Sequence, residues 1–171
     1  MANKVCDSGP IGNYANSPQS DSMQDDLIIA HAMAILKERM RISCVSMDSP
    51  KAVKNYLSLK LESFEREVFG VLMLDAQHRL IEDVQMFTGT ISQTSVYPRE
   101  VVKSALFYNA AAIFIYHNHP SGIAEPSLSD RMLTKRLQES LALVEIRLLD
   151  HIVVAGESGG EAFSFCEKGM L

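Results

Sequence analysis

The stretch that most constrains the fold of this chain is residues 113–130, IFIYHNHPSGIAEPSLSD. It begins as an apolar run of the kind that a buried strand shows. Two histidines one residue apart, His117 and His119, follow, and Pro-Ser-Gly then predicts a sharp turn. After a short loop, Ser127 and Asp130 stand where a helix is expected to begin. The fold therefore has to bring a strand end and a helix start together.

The two histidines and Asp130 are of residue types that bind zinc. In an extended chain, residues two apart point to the same face, so His117 and His119 can both reach one ion while Asn118 points elsewhere. Asp130 can return as a third ligand from the first turn of the helix. Catalytic zinc sites use three protein ligands and keep one position for water. The spacing therefore predicts a site of the kind that activates water.

These residues also have simpler interpretations. A His-x-His pair by itself is common and weakly specific. Ser127 with Asp130 is also a helix-start signature, in which the serine caps the helix and the acid favours its positive end. The two interpretations are compatible, because capping does not occupy every carboxylate oxygen. Spacing alone leaves the metal site and a purely structural helix start both open.

A metal-activated water needs a general base, and a glutamate on a neighbouring strand could serve. Glu67 is best placed, because it begins the apolar run EVFGVLMLD, which is typical of a central strand. The alternative interpretation of Glu67 is an acid at a strand start that faces solvent. Three other glutamates compete for the role, Glu62, Glu65 and Glu100.

His151 lies inside the apolar run LLDHIVV, beside Asp150. The surrounding pattern predicts a buried strand. We expect His151 to be a hydrogen-bonded structural residue rather than a fourth ligand, because a fourth protein ligand would remove the water position.

Helix and strand patterns alternate along the chain. Helices are predicted at residues 25–40, 50–63, 98–110 and 127–144. Strands are predicted at residues 67–75, 80–91, 111–116, 145–156 and 163–165. The first two strands form a hairpin around a turn at residues 76–79. This order predicts an α/β domain with a mixed sheet rather than a purely parallel one.

Composition excludes several classes of protein. With 171 residues, 47% of them hydrophobic and 22% charged, the chain suits one globular domain. No apolar run approaches the ~20 residues that span a bilayer, and the N-terminus lacks a signal pattern, so we expect no membrane contact and a cytoplasmic location. The net charge of −5 argues against direct nucleic-acid binding by this chain alone.

The chain divides into three parts. Residues 1–24 are polar and poor in large apolar groups, which predicts a disordered leader. Residues 25–47 contain an amphipathic helix, whose apolar side chains, among them Leu27, Ile28 and Leu36, are expected to pack against the domain. A homodimer contact is the less favoured alternative for this helix. Residues 48–171 form the domain itself.

The sequence HNHPSG followed by P-S-x-x-D resembles the JAMM motif, also called MPN+ or JAB. Together with FTGTI, YPREVV, ALFYNAAA and LLDHIVV in this order, it resembles the RadC family, most closely the short RadC-like proteins of prophage type. The resemblance spans residues 48–171 and implies a mixed-sheet α/β/α sandwich that is cytidine-deaminase-like. It implies one Zn²⁺ per chain, with metal ligands at His117, His119 and Asp130. It further implies that Glu67 is the catalytic base and that Ser127 stabilises an oxyanion.

The resemblance also implies an activity, since active JAMM proteins cleave peptide or isopeptide bonds. On that template, Glu67 takes a proton from the attacking water and passes it to the leaving amine, while Ser127 donates to the tetrahedral oxyanion. The expected substrate is a peptide or protein.

The alternative function is a metal-stabilised module without enzymatic activity, associated with DNA repair or mobile-element functions. Longer RadC proteins carry an N-terminal helix-hairpin-helix region associated with DNA binding. Here only the leader and one helix precede the domain, so direct DNA contact is not expected. Deamination is disfavoured, because deaminase sites use a C-x-x-C pair that this chain lacks.

Overall fold

The computed structural model describes residues 19–42, 50–61, 64–89, 96–156 and 161–171. Within these ranges the chain forms four helices, α1 (Gln19–Ile42), α2 (Pro50–Leu61), α3 (Pro98–Phe107) and α4 (Leu128–Ala142). It also forms five strands, β1 (Val68–Leu74), β2 (Leu80–Thr88), β3 (Ala112–His119), β4 (Arg147–Ala155) and β5 (Phe163–Ser164).

The strands form one sheet in the order β2-β1-β3-β4-β5. The β1–β2 hairpin is antiparallel, β3 runs antiparallel to β1, and β5 runs antiparallel to β4. Only β3 and β4, among the described strands, are parallel neighbours. A tight turn cannot join parallel strands, so α4 makes the crossover between them. The predicted mixed sheet is confirmed.

Helices cover both faces of the sheet because the side chains of β3 alternate between two apolar clusters. Phe114 and Tyr116 lie in one cluster with side chains of α2. Ile113 and Ile115 lie in the other cluster with side chains of α3 and α4. The α/β/α sandwich that the resemblance implies is confirmed. His117 and His119 continue the alternation on the α4 face.

The first helix differs from its prediction at both its start and its packing. It begins at Gln19 rather than at residue 25, so residues 19–24, assigned above to a disordered leader, are helical. Ser and Asp residues there are types that favour the start of a helix. Leu27 and Ile28 are exposed, and the predicted packing holds only for the later part of α1, at Met33 and Leu36. Residues 1–18 lie outside the described residues.

Strand β3 is longer than predicted. It extends three residues beyond residue 116, so that both histidines lie within it. The reason is backbone pairing, since β4 accompanies β3 as far as the pair His119 and Ala155. A strand with neighbours on both sides keeps its pleat, and this fixes the direction of each side chain.

Gly70 on β1 allows Tyr116 to lie across it and reach the next strand. A Cβ on Gly70 would stand 2.2 Å from Cζ and from the hydroxyl oxygen of Tyr116. That hydroxyl donates to Asp83 on β2 at 2.6 Å. Tyr56 and Lys60 of α2 donate to the same carboxylate, each at 2.5 Å. Asp83 thus ties α2, β2 and β3 together, and the absence of a side chain at Gly70 makes this possible.

We expect Gly70→Ala to lower the free energy of unfolding by about 1–3 kcal/mol, because the added methyl group forces Tyr116 away from Asp83. Urea denaturation measures the change. In a Tyr116→Leu background the same substitution should cost much less, since the clash is gone. An equal cost in both backgrounds would show that the contact with Tyr116 is not the reason for the glycine.

Candidate metal centre

The structure brings His117, His119 and Asp130 together at one end of β3. The two histidines point from β3 toward α4, and Asp130 lies in the first turn of α4. One potential ligand atom from each residue lies within 4.8 Å of those of the other two, a group that could hold a metal ion. His117 is buried, and His119 and Asp130 are partly buried. The strand end and the helix start therefore meet as the sequence predicts.

The distances within this group suit a small cation. The two Nε2 atoms of His117 and His119 are 2.9 Å apart. Each of these atoms lies 3.5 Å from a carboxylate oxygen of Asp130, Oδ1 for His117 and Oδ2 for His119. In tetrahedral coordination with bonds of 2.0–2.1 Å, neighbouring ligand atoms are about 3.3 Å apart. Two imidazoles and a carboxylate are also ligands that zinc accepts, so the residues present fit this ion.

The hydrogen bonding of His119 directs a lone pair into the site. Its Nδ1 atom lies 2.8 Å from the backbone carbonyl oxygen of Ile123. A carbonyl oxygen only accepts, so Nδ1 carries the hydrogen and donates. In the neutral ring Nε2 is then unprotonated and faces the Nε2 atom of His117. Two nitrogen lone pairs at this distance repel unless a proton or a cation lies between them.

The surroundings of the site hold His117 and Asp130 in the deprotonated forms that metal binding needs, whereas they favour the protonated form of His119. Burial lowers the pKa of His117 to about 4, so this ring is neutral at pH 7. Hydrogen bonding with Asp130 raises the pKa of His119 above its ordinary value. Burial alone would raise the pKa of Asp130, but hydrogen bonds from His119 and Ser127 and the nearby His117 hold that pKa well below its usual range. Asp130 is therefore a carboxylate.

Ser127 caps α4 and holds Asp130 in place. The backbone N–H of Ser127 donates to Asp130 Oδ2 at 2.7 Å, and its hydroxyl donates to the same oxygen at 2.6 Å. The backbone N–H of Asp130 in turn donates to Ser127 Oγ at 3.2 Å, which completes a capping box. The capping interpretation is confirmed, and Asp130 Oδ1 takes no part in it. The role of Ser127 toward an oxyanion stays a prediction.

Glu67 lines the same cleft as the metal-site candidates. It stands two residues before Phe69, which pairs with His117 across β1 and β3, so both side chains lie on the α4 face. The cleft has a volume of about 500 Å³, and Ser127 and Asp130 also line it. The charge of Glu67 contributes to the raised pKa of His119. Glu67 is partly buried, and its role as the base stays a prediction.

Neither of the two described competitors, Glu65 and Glu100, lines this cleft. Glu65 is exposed. Glu100 lies on α3 and forms an ion pair with Arg99 at 3.2 Å. Glu62 lies outside the described residues. Of the described candidates for a general base, Glu67 alone is at the cleft.

Asn118 has a role that the sequence pattern alone did not reveal. Its side chain is fully buried on the sheet face opposite the two histidines. Its Oδ1 accepts from the backbone N–H of Val68 at 2.8 Å. Its amide donates to the backbone carbonyls of Phe64 and Arg66, at 3.3 and 3.0 Å. The residue between the two histidines therefore fixes the backbone on either side of Glu67.

The fold and the site together define a class of protein. Its members are mixed α/β sandwiches with a His-His-Asp group at the central strand. The RadC-like JAB domain family matches residues 47–170. The chain belongs to this family.

Related proteins share much of the chain. Over 124 residues it is 57% identical to a UPF0758 protein of Leptothrix cholodnii. The matched residues are 72% of this chain and 54% of the relative. It is 56% identical over 126 residues to one of Dechloromonas aromatica, 74% of this chain and 55% of the relative. A third, from Vibrio cholerae, is 49% identical over 148 residues, 86% of this chain and 91% of the relative. The chain thus spans about half the length of the first two relatives. None of these names states an activity.

Across the described residues, the helices are too short or too polar to cross a bilayer.

We expect Asn118→Ala to loosen the segment that carries Glu67. Each buried backbone group left without a partner costs about 1–3 kcal/mol, so stability should fall and amide hydrogen exchange at residues 64–68 should accelerate. Asn55→Ala, on the exposed side of α2, is the matched control and should change neither quantity. Unchanged exchange at residues 64–68 in Asn118→Ala would contradict this role.

Proposed function

We propose that this chain is a zinc-dependent hydrolase of the JAMM type that cleaves a peptide or isopeptide bond. The observation that carries the proposal is the meeting of His117, His119 and Asp130 within 4.8 Å, at a cleft that Glu67 and Ser127 also line. Membership of the RadC-like JAB domain family supports it. When bound by the two histidines and Asp130, zinc supplies Lewis acidity and lowers the pKa of water.

Glu67 is proposed to move the proton of the reaction. Hydrolysis of an amide requires that a proton leaves the attacking water and that one reaches the departing nitrogen. A single carboxylate at the side of the cleft can do both in turn. Its backbone is held through Asn118, which is also the residue between the two histidines. The proposed base and ligands therefore share one rigid support, as catalytic geometry requires.

Ser127 is proposed to donate a hydrogen bond to the oxyanion that develops at the scissile carbonyl. In the structure its hydroxyl is directed at Asp130 Oδ2 and lies 2.7 Å from the hydroxyl of Ser129. A hydroxyl hydrogen rotates to suit its partner. The backbone N–H of Ser127 also binds Asp130, so this carboxylate keeps a donor if the hydroxyl turns to a substrate.

A polypeptide substrate suits the surroundings of the cleft. Large apolar side chains are exposed at and beside the start of α4, Ile123, Leu128 and Met132. Met132 lines the cleft itself, together with the buried ring of Phe69. Proteins that bind an extended peptide use hydrogen bonds to its backbone and pockets for its side chains, and we propose that these exposed apolar groups form such a pocket.

A second candidate function is a metal-stabilised module without enzymatic activity, associated with DNA repair or mobile-element functions. One observation favours it. Both donors of Ser127 bind Asp130 Oδ2, so the serine serves the architecture of the site without any substrate. In this case the metal would stabilise the junction of β3 and α4, and the function would depend on a partner.

We expect the purified protein to hold about one zinc ion per chain and His119→Ala to lose it, because two remaining ligands bind zinc far more weakly than three. Elemental analysis after gel filtration at neutral pH measures the content. His31→Ala, on the exposed side of α1, is the control and should retain zinc. Wild-type protein that holds no zinc would refute the metal assignment.

We expect Glu67→Gln to retain zinc and to lower kcat/KM by about 10²–10⁴-fold, the usual contribution of a general base. Profiling zinc-loaded protein against peptide and isopeptide libraries identifies the substrate and gives the rates. Glu65→Gln changes an exposed acid two residues away and should leave the rate unchanged.

Full activity in Glu67→Gln would show that another group is the base. A wild-type protein that cleaves nothing, yet melts at a much lower temperature with a chelator, would favour the binding module.

A further inference from the structure

A second buried imidazole, His151, stands behind the candidate metal centre and outside the group of three. It lies on β4 in register with Ile115 of β3, and it is fully buried. Its Nε2 atom is 2.8 Å from Nδ1 of His117. The ring stacks on Phe165, with centroids 4.7 Å apart and 17° between the planes. His151 is hydrogen-bonded, as the sequence predicts, and its two contacts determine which ring nitrogen carries the hydrogen.

The donor and acceptor roles in these hydrogen bonds are set by Thr134, a buried residue one helical turn after Asp130. The Thr134 hydroxyl lies 2.7 Å from the backbone carbonyl oxygen of Asp130. The carbonyl can only accept, so the single hydrogen of the hydroxyl is used there. The same hydroxyl oxygen lies 2.6 Å from Nδ1 of His151. It must accept in that contact, and His151 Nδ1 therefore carries a hydrogen.

The tautomer of His151 in turn determines the tautomer of His117. The His151 ring is fully buried, and its two nitrogens contact the Thr134 hydroxyl and the His117 ring, so the ring is neutral and carries one hydrogen. With that hydrogen on Nδ1, the Nε2 atom of His151 is an acceptor. The contact with His117 Nδ1 at 2.8 Å is a hydrogen bond only if His117 donates. His117 Nε2 is then the atom with a free lone pair, and it faces His119 and Asp130.

We propose that Thr134 and His151 are positioning residues that hold His117 in the tautomer a metal ion needs. A metal-bound histidine usually donates its other N–H to a carboxylate, a carbonyl or water. Here the acceptor is a second imidazole, His151, and the Thr134 hydroxyl keeps the hydrogen of that ring on Nδ1. We call this chain of hydrogen bonds, from the backbone carbonyl of Asp130 through Thr134 and His151 to the ring of His117, the relay. It joins two proposed ligands through the protein interior.

His119 needs no such relay, since the carbonyl of Ile123 fixes its tautomer directly. An imidazole partner for His117 can reverse its own tautomer, which a carbonyl cannot do. Without Thr134, His151 could carry its hydrogen on Nε2 and donate to His117, which would place the hydrogen of His117 on the side of the metal. The threonine hydroxyl excludes this state. The inference rests on the proposed metal site but not on any cleavage activity.

The test compares Thr134→Val with Thr134→Ser by two readouts that do not use activity. Valine keeps the shape of threonine and loses the hydroxyl, whereas serine keeps the hydroxyl. Zinc affinity, measured by competition with a fluorescent chelator, should fall about 10–100-fold in Thr134→Val and should stay within about threefold of wild type in Thr134→Ser. Thr88→Val, exposed on β2, is the control and should keep wild-type affinity.

The second readout is the ¹⁵N NMR spectrum of the histidine rings in zinc-free protein. We expect the hydrogen of His117 on Nδ1 in wild type and in Thr134→Ser, and a mixture of tautomers in Thr134→Val. A wild-type spectrum with the hydrogen of His117 on Nε2 would overturn the inference, and so would wild-type zinc affinity in a folded Thr134→Val protein.

The wild-type spectrum decides the question even if Thr134→Val does not fold. The two proposals also fail separately. Zinc binding without cleavage refutes the hydrolase and leaves the relay intact, whereas the opposite tautomer of His117 refutes the relay and leaves the hydrolase standing.

Discussion

Backbone pairing on both sides of β3 (Ala112–His119) is the interaction on which the candidate metal centre depends. β1 pairs with this strand up to His117, and β4 accompanies it to His119. Paired on both sides up to His117 and with β4 up to His119, the strand keeps its pleat to its last residue, so alternate side chains point to opposite faces of the sheet. His117 and His119 therefore point at α4, where the capping box of Ser127 holds Asp130 to meet them.

The two faces of this strand end support one site from different sides. On one face, His117 is connected through His151 and Thr134 to the backbone of α4. On the other face, Asn118 holds the backbone that carries Glu67. The side chains of His117, His151, Thr134 and Asn118 are all buried and hydrogen-bonded, so displacing any of them costs free energy. A hydrolase needs such fixed geometry, but a metal-stabilised binding module could use the same rigidity.

The sequence predicted those parts of the site that lie close together along the chain. The histidine pair and Asp130 fall within one strand-loop-helix unit, whose alternation and capping signals are local. The position of Glu67 depends on the register between β1 and β3, and that of His151 on the register between β3 and β4. Such registers come from pairing across the whole sheet, which no local pattern encodes. The predicted start of α1 was wrong for a related reason, since residues 19–26 are mostly polar in sequence and offer no apolar periodicity that marks a helix.

The most direct test of the central claim is a crystal structure of zinc-loaded protein with anomalous diffraction recorded on both sides of the zinc absorption edge. We expect one strong anomalous peak per chain, within about 2.0–2.2 Å of Nε2 of His117, Nε2 of His119 and an oxygen of Asp130. No peak among these three atoms, or a zinc ion bound only elsewhere on the chain, would contradict it.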